Sequence, residues 1–519
     1  MNLGHYASYW AKHLDDQPAA VFKEKILSWS ALTAQSDAIA AVLQDMGVEK
    51  GDRVGCMLHN SLEWVISYAA IFKAGAILVP LNPRYSEREL QEIGAQVKCS
   101  VVVTQPALIN KLAPGTAQAL APSEAIALYP ASGTPLAFDA ALASGGKPVD
   151  PKVAPDDLAV IAFTSGSTGL PKGAMLSHHS IDAYAIGLTL GLGLTSNDRF
   201  LLLAPFAFTG GVISSFTPSY VVGGCVFIEE AFEPTCALAA ITRDRITIMN
   251  GVPILWQRMS EVPGFADADI TCVRGAITGG APVSQALLKR YADKGVCIRQ
   301  TFGVTENSGM IAMPNEKFAL EKPWACGWPL PTVELRVVNN ENCDCAANEP
   351  GEILIRGEQI FKGYWENPTA TQAAWFDGWY RTGDIGSLDD MGHLQVLDRK
   401  KSMIISGGVN IYPAEIERAI GAIDGITDVI AFGLPDDSWG ERLIAIVHGA
   451  TQRDAASLLA ECRTVLGGYK TPKELIVSRQ PLPRTTTGKV LRSDIQKLYD
   501  SMHDQPRALA KDAKERAAA

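Results

Sequence analysis

Short apolar runs alternate with amphipathic stretches through most of the chain. Positions 52–59 (DRVGCMLH) predict a strand, 61–75 (SLEWVISYAAIFKAG) a helix stopping at a glycine, and 76–83 (AILVPLNP) another strand. The run 86–90 (SEREL) opens the next helix with Ser86 and Glu89 at capping-box spacing, and 100–106 (SVVVTQP) is again a strand. The same alternation recurs at 198–205, 224–230, 246–253 and 272–280. This grammar predicts parallel sheet covered by helices.

The pattern changes after about Pro331. Closely spaced strands follow at 333–340, 351–357 and 393–399, so a small β-rich unit is expected over 331–398. The polar segment Asp398–Arg399–Lys400–Lys401–Ser402 marks a domain boundary. Beyond it a compact α/β piece restarts, with strands at 403–408, 428–435 and 442–450 and a helix at 413–423. The Ala-, Lys- and Asp-rich tail after about Leu498 reads as a frayed helix or disordered chain.

Composition narrows the class. The 519 residues are 47% hydrophobic and 20% charged, which excludes a disordered chain, a collagen and a coiled coil. A net charge of -10 gives no global field toward nucleic acid or anionic lipid, though an anionic substrate would need a local basic cleft. The 10 cysteines contain no CxxC pair, so they are expected to be reduced and mostly buried in a cytoplasmic protein. The start MNLGHYASYWAKHLDD lacks the basic, then apolar, layout of a signal peptide. Positions 200–228 carry no charge, but Pro205, Pro218 and two Gly-Gly pairs break the run, predicting buried strand, loop and helix rather than a membrane span.

The most informative window is Thr164-Ser165-Gly166-Ser167-Thr168-Gly169-Leu-Pro-Lys172-Gly, which follows the apolar strand LAVIAF. Glycines let backbone N–H groups turn toward an anion, hydroxyls add donors and Lys172 adds charge, so the loop suits a polyphosphate. It matches neither the Walker A pattern, nor G-x-G-x-x-G, nor a G-x-S-x-G nucleophile elbow. Alone, it competes with a flexible Ser/Gly linker.

Five further windows decide the matter: ITGGAP (277–282), TFGVTE (301–306), WYRTGD (379–384), DRKKSMIISGGVNIYPAEIE (398–417) and PRTTTGK (483–489). Their order and spacing resemble the adenylate-forming superfamily of acyl-CoA synthetases, peptide-synthetase adenylation domains and firefly-type luciferases, over roughly Leu27 to Asp494. The resemblance implies an α/β fold: a large N-terminal ATP- and acyl-binding domain (1–398), a hinge (399–402, pivoting at Lys401) and a small mobile α+β C-terminal domain (403–519) bearing the catalytic lysine. It implies AMP-forming acid–CoA ligation with ATP, Mg²⁺ and coenzyme A.

Residue roles follow from the resemblance. Thr164–Lys172 cradles the ATP phosphates. Gly280, Ala281 and Pro282 with Thr301, Phe302 and Gly303 frame the adenine and the reacting carboxylate. Thr305 lies near the α-phosphate and Glu306 holds Mg²⁺; Asp384 takes the ribose hydroxyls, aided by Arg399; Lys489 is the adenylation lysine. Gly407 and Gly408 line the pantetheine path. Each assignment has a chemical reason. Carboxylate attack on ATP brings two anions together, so charge neutralisation is needed. A lysine supplies a compact positive charge, a glutamate suits a hard cation, and an aspartate accepts two hydroxyls.

The chain departs from the family pattern in three places. Phe208 stands where a histidine is usual, Phe302 where tyrosine is frequent, and Ser402 where an acid commonly follows the hinge. No acid follows Phe208 to bind an α-amino group, which argues against an amino-acid substrate. The expected acyl wall (Phe208, Gly211, Val212, Gly279, Gly303, Met310, Ile311) is apolar and partly small. It suits an aromatic, alicyclic, steroid-like or medium-chain acid. Competing readings are an acyl-AMP ligase loading a carrier protein and a non-catalytic nucleotide-binding paralogue. Expected partners are a small carboxylic acid, a second copy in a homodimer, and a lysine acetyltransferase silencing Lys489 by removing its charge; no nucleic acid and no integral membrane segment are expected.

Overall fold

The structure, a computed structural model, describes residues 2–112, 126–164, 171–281, 283–406, 409–436, 439–449, 454–466, 470–483, 495–502 and 505–509. Two large sheets build the first part. A seven-stranded sheet holds Arg53–Met57, Ile77–Pro80 and Val101–Thr104 in parallel, and ends in the antiparallel pair Leu158–Thr164 and Lys172–Ser177. A nine-stranded sheet runs parallel through Cys225–Ile228, Arg199–Leu202, Ile248–Gly251, Gly275–Gly279 and Ile298–Val304.

The strands expected from alternating apolar runs form where they were expected. The helix Leu62–Lys73 is buried nearly all round, as a helix between two layers must be. Its aromatic side reaches the second sheet's connections: Trp64 stacks on Phe206 in a turn at 4.9 Å, and Tyr68 meets Phe216 and Tyr220 on the helical run edge-on at 5.0 and 5.3 Å. Lys73 ends this helix in the interior, where Asp37 pairs with it at 2.6 Å and Ser36 and the Thr33 carbonyl accept its other protons. The capping box at Ser86 and Glu89 is present.

The uncharged stretch resolves into the strand Arg199–Leu202, a helical run Thr209–Val222 that contains a π turn at Val212–Phe216, and the strand Cys225–Ile228. Among the described residues no helix is long and apolar enough to cross a membrane. A third sheet, built around Val333–Val338, Gly351–Gly357 and Trp379–Leu388, is the expected β-rich unit.

Past Ser402, a further sheet pairs Asp428–Asp436 with Gly440–His448 over nine antiparallel positions. The helices Pro413–Gly421 and Ala455–Leu466 pack on one face of it, around Ile416, Ile420, Leu458 and Leu475. One sequence expectation needs correction here. The tail is not simply a frayed helix: after the helix Ile495–Asp500, Arg507–Leu509 forms a strand antiparallel to Glu474–Val477. Arg507 anchors it by an ion pair to Glu474 at 3.0 Å. The cysteines also differ from expectation, since Cys56, Cys326 and Cys462 are buried while Cys236 and Cys343 are exposed; all ten are free thiols.

Candidate active site

Several of the expected site residues come from the ends of strands. Thr164 and Lys172 face each other where the last hairpin of the seven-stranded sheet opens. Gly279 and Thr301 pair at the carboxyl ends of two parallel strands of the nine-stranded sheet. Ligands of open α/β sheets bind beyond such ends, because the loops there are free to carry chemistry.

Past Thr301 the strand runs on to Val304, and a single 3₁₀ turn, Thr305–Asn307, follows. The Thr305 hydroxyl donates to Thr209 at 3.2 Å. Asn307 is fully buried and donates to the Met310 carbonyl at 3.1 Å, which fixes the turn from within. The turn therefore presents Thr305 and Glu306 half-buried at the rim. Gly303 is required by close approach: a Cβ there would lie 2.4 Å from the Gly309 carbonyl oxygen.

A strap crosses between the two sheets at this point. The Phe361 N–H donates to the Glu306 carbonyl at 2.8 Å. Two residues on, Met175 N–H donates to the Gly363 carbonyl at 2.9 Å, and Trp365 N–H to Gly173 at 2.8 Å. The strap thus ties the edge strand Lys172–Ser177 to the Glu306 turn. It also delivers Tyr364, whose hydroxyl donates to Glu306 Oε1 at 2.8 Å. The Lys172 ammonium sits 5.3 Å from the centre of the same ring.

Asp384 is 4% exposed on the strand Trp379–Leu388. Directly opposite on Leu394–Arg399 is Arg399, whose Nε lies 2.8 Å from Asp384 Oδ1 while its side chain stays 58% exposed. Tyr380, on the same strand as Asp384, meets Phe361 of the strap edge-on at 5.1 Å. Burial, first, and then Glu306 hold both phenols well above the usual tyrosine range, while Arg399 acts in the opposite sense on both. Glu306, the two phenols and Arg399 therefore sit within electrostatic reach of one another.

Around the expected acyl wall, Phe208 caps the helical run and is half-buried, and Val212 is fully buried. Gly211 is held against the chain, since a Cβ there would lie 2.1 Å from the Pro205 carbonyl oxygen. Met310 and Ile311 are consecutive on a strand and face opposite sides of it, so one wall takes only one of them. A small cavity beside the π turn is lined by Leu188, Leu202, Ser214, Ile248 and Ile277. Asn60, buried at 4%, holds the turn before Phe208: it accepts from the Phe206 N–H and donates to the Ala204 and Glu229 carbonyls.

Gly280 and Ala281 follow Gly279 at the strand end, with Gly280 in the left-handed region. Phe302 is buried. Lys401 is exposed in a turn closed by the Ser402 N–H donating to the Arg399 carbonyl at 2.9 Å. Ser165, Gly166, Ser167, Thr168, Gly169, Pro282, Gly407, Gly408 and Lys489 lie outside the described residues. Sequence reasoning missed Tyr364, Tyr380, Thr209 and Asn60. Only Tyr380 lay inside a motif window, WYRTGD, and nothing in its residue type distinguished it from a core aromatic.

The chain matches the family model of AMP-binding enzymes over residues 8–365 and that of the AMP-binding enzyme C-terminal domain over 415–489. It is 34% identical to an indoleacetate–CoA ligase of Aromatoleum aromaticum, covering 96% of this chain and 98% of that one. It is 33% identical to a feruloyl-CoA synthase of an Amycolatopsis species, over 91% and 94%. Among solved structures, ATP-bound MatB from Rhodopseudomonas palustris superimposes with a TM-score of 0.86 at 28% identity, covering 97% of this chain and 100% of that one. The o-succinylbenzoate CoA synthetase of Bacillus subtilis with its acyl-adenylate gives 0.84 at 27%, over 95% and 98%. With strand-end residues of this layout and likeness running almost end to end, the chain belongs to the AMP-binding enzymes, in their branch of AMP-forming acid–CoA ligases.

Proposed function

We propose that this ligase activates an apolar aromatic or alicyclic carboxylic acid, with Glu306, Asp384, Arg399, Lys172 and Lys489 in the nucleotide-handling roles their motifs suggest. The observation that carries the reading is the convergence of the Glu306 carboxylate, the Lys172 ammonium and the Asp384–Arg399 pair around two buried phenols.

The residues fit a magnesium ion that arrives with the nucleotide. Among the described residues no cluster of three or more His, Cys, Asp or Glu could hold a metal by itself. Magnesium is commonly held by one or two carboxylates plus substrate phosphates, and Glu306 offers one such carboxylate. When bound, the ion neutralises charge on the polyphosphate. Asp384 accepts the ribose hydroxyls and fixes the nucleotide's distance from the rim. Thr305 lies beside Glu306, and its hydroxyl, which donates to Thr209, serves the α-phosphate when nucleotide binds.

In the first half-reaction the acid's carboxylate oxygen attacks the α-phosphorus, the bond to the β-phosphate oxygen breaks and pyrophosphate leaves. Lys489 offsets the charge that accumulates. In the second, the coenzyme A thiolate attacks the acyl carbonyl and AMP leaves with the bond electrons. A rotation of residues 403–519 about Lys401 exchanges Lys489 for the Gly407–Gly408 segment between the two steps. Phe208, Gly211 and Val212 keep the acyl side apolar, which suits a ring system without an α-amino group. The relatives named for feruloyl and indoleacetate substrates support the aromatic choice.

Pyrophosphate release with ATP, Mg²⁺ and a panel of benzoates, cinnamates, arylacetates, alicyclic, bile-type and fatty acids tests the substrate class. Turnover that requires coenzyme A and favours ring-bearing acids is expected; preference for fatty acids by tenfold or more overturns the choice. Lys489→Ala is expected to lose ~10²-fold or more in adenylation, as for removal of one preorganised charge stabiliser, while sparing thioester formation from supplied acyl-adenylate. Equal loss in both half-reactions would sink the two-orientation scheme.

A further inference from the structure

The strap residue Tyr364 belongs to none of the six motif windows, yet it touches two of the groups they contain. Its hydroxyl donates to Glu306 Oε1 at 2.8 Å and its ring lies under the Lys172 ammonium. Tyr380 packs edge-on against Phe361 of the same strap, with ring centres 5.1 Å apart. Tyr380 and Tyr364 are nearly buried, at 4% and 9% exposure, so neither hydroxyl can turn freely to water.

A half-buried glutamate on a 3₁₀ turn has three side-chain torsions, and a metal held by a single protein carboxylate depends on that carboxylate's orientation. Partners that hold a ligand's second atom fix its direction, and their loss typically weakens metal affinity ~10–100-fold. Here Oε1 is occupied by the phenol, which leaves Oε2 as the oxygen to meet the cation. The backbone around Glu306 is already held by the Phe361 N–H on its carbonyl, which ties the strap to the turn.

We propose that Tyr364 is a positioning residue that aims Glu306 at the nucleotide-bound magnesium, and that its ring separately seats Lys172. The inference rests on the reading of Glu306 as the magnesium ligand. The hydroxyl and the ring make separable contributions: Tyr364→Phe removes the first and keeps the second, whereas Tyr364→Leu removes both.

The test uses the full-length enzyme and Mn²⁺ as the probe. Free Mn²⁺ is followed by electron paramagnetic resonance while the metal is titrated into protein saturated with a non-hydrolysable ATP analogue. Glu306→Gln is the reference and is expected to lose most of the protein's contribution to Mn²⁺ affinity. Tyr364→Phe is expected to weaken Mn²⁺ binding about tenfold, with KM for the acid unchanged. Tyr364→Leu should add a several-fold loss of analogue affinity measured without metal. Wild-type or tighter Mn²⁺ affinity in Tyr364→Phe, beside a clear loss in Glu306→Gln, overturns the positioning role and leaves the metal reading intact. Wild-type affinity in Glu306→Gln overturns the metal reading itself, and the role of Tyr364 with it. Circular dichroism and thermal unfolding of each variant separate misfolding from either result, and the same Mn²⁺ titration of Tyr364→Leu keeps the inference falsifiable if Tyr364→Phe does not fold.

Discussion

Asp384 and Arg399 meet because two neighbouring antiparallel strands place them opposite each other. Glu306 and Tyr364 meet across 58 residues, because a strap from the β-rich part crosses the gap between two large sheets. The first pair is set by local register: once the hairpin forms, its partners have no other neighbour to choose. The second is set by the packing of whole layers. Both end as a single hydrogen-bonded contact of the same length, 2.8 Å. They differ in what must fold before they exist, and so in how a substitution spreads.

The largest effect is expected at the local pair. Asp384→Ala should lower kcat/KM for ATP at least ~10²-fold, since two hydrogen bonds to a charged acceptor, each worth ~1.5–3 kcal/mol, go at once. Arg399→Ala should cost less, because the guanidinium is more than half exposed. The double variant should lose less than the two single losses combined, by a coupling of ~0.5–3 kcal/mol, since the residues are in direct contact. Steady-state kinetics over ATP concentration at saturating acid measure all three. Strict additivity would mean that the pair does not act as a unit on the nucleotide, and the contrast with Glu306–Tyr364 would lose one side.

The same contrast explains what was legible in the sequence. Asp384 and Arg399 lay in ordered windows at a spacing that a hairpin converts into contact. Strand after strand was legible because buried parallel strands are uninterrupted runs of Val, Ile and Leu bounded by turn residues, as in Val101–Thr104. Tyr364 was not legible. A tyrosine beside Gly363 and Trp365 reads as core, and its role depends on which edge strand the strap finds. Arg507–Leu509 escaped for a related reason: three residues carry no period, and the strand exists through its pairing with Glu474–Val477. The two-residue shifts in register between Gly351–Gly357 and Trp379–Leu388 were equally hidden, since a bulge changes the partners without changing the apolar pattern.

A long-range contact that bears on stability alone sharpens the comparison next. His178 is buried, 1% exposed, and its Nδ1 accepts the Leu3 N–H at 3.2 Å across 175 residues. Burial is the main cause that lowers its pKa from 6.5 to about 4; Asp157 opposes the shift, and the N-terminus and His5 add to it. The folded state thus takes up this proton less readily than the unfolded state. The stability it represents is complete above the unfolded pKa near 6.5 and is lost as pH falls toward about 4. The shift corresponds to about 3 kcal/mol. His178→Gln should flatten the decline of the urea midpoint between those pH values relative to the parent. An unchanged slope would show that the acid sensitivity of this region arises elsewhere.

The smallest effect tests the other end of the scale, where a contact is as local as a helix turn. Ser86 accepts from the Glu89 N–H at 3.3 Å, and Glu89 accepts from the Ser86 N–H at 2.8 Å. Both were legible from spacing alone, and both are exposed to solvent. Ser86→Ala removes one of these bonds and leaves a helix N–H for water to satisfy, so the loss should be about 1 kcal/mol in the urea midpoint, independent of pH between 5 and 8. Kinetic constants for ATP and acid should stay at parent values, because nothing in the cap reaches the rim where Glu306 and Asp384 stand. If the cap variant did shift KM for ATP, the helix Glu87–Val97 would have to transmit strain to the neighbouring strands. Trp365, at the end of the strap, is the contact through which it would travel: its indole N–H donates to the Gln96 carbonyl at 3.2 Å. A change in KM would therefore show that even the most local contact is coupled to the packing of whole layers, and that the separation between the two kinds of pair is one of degree.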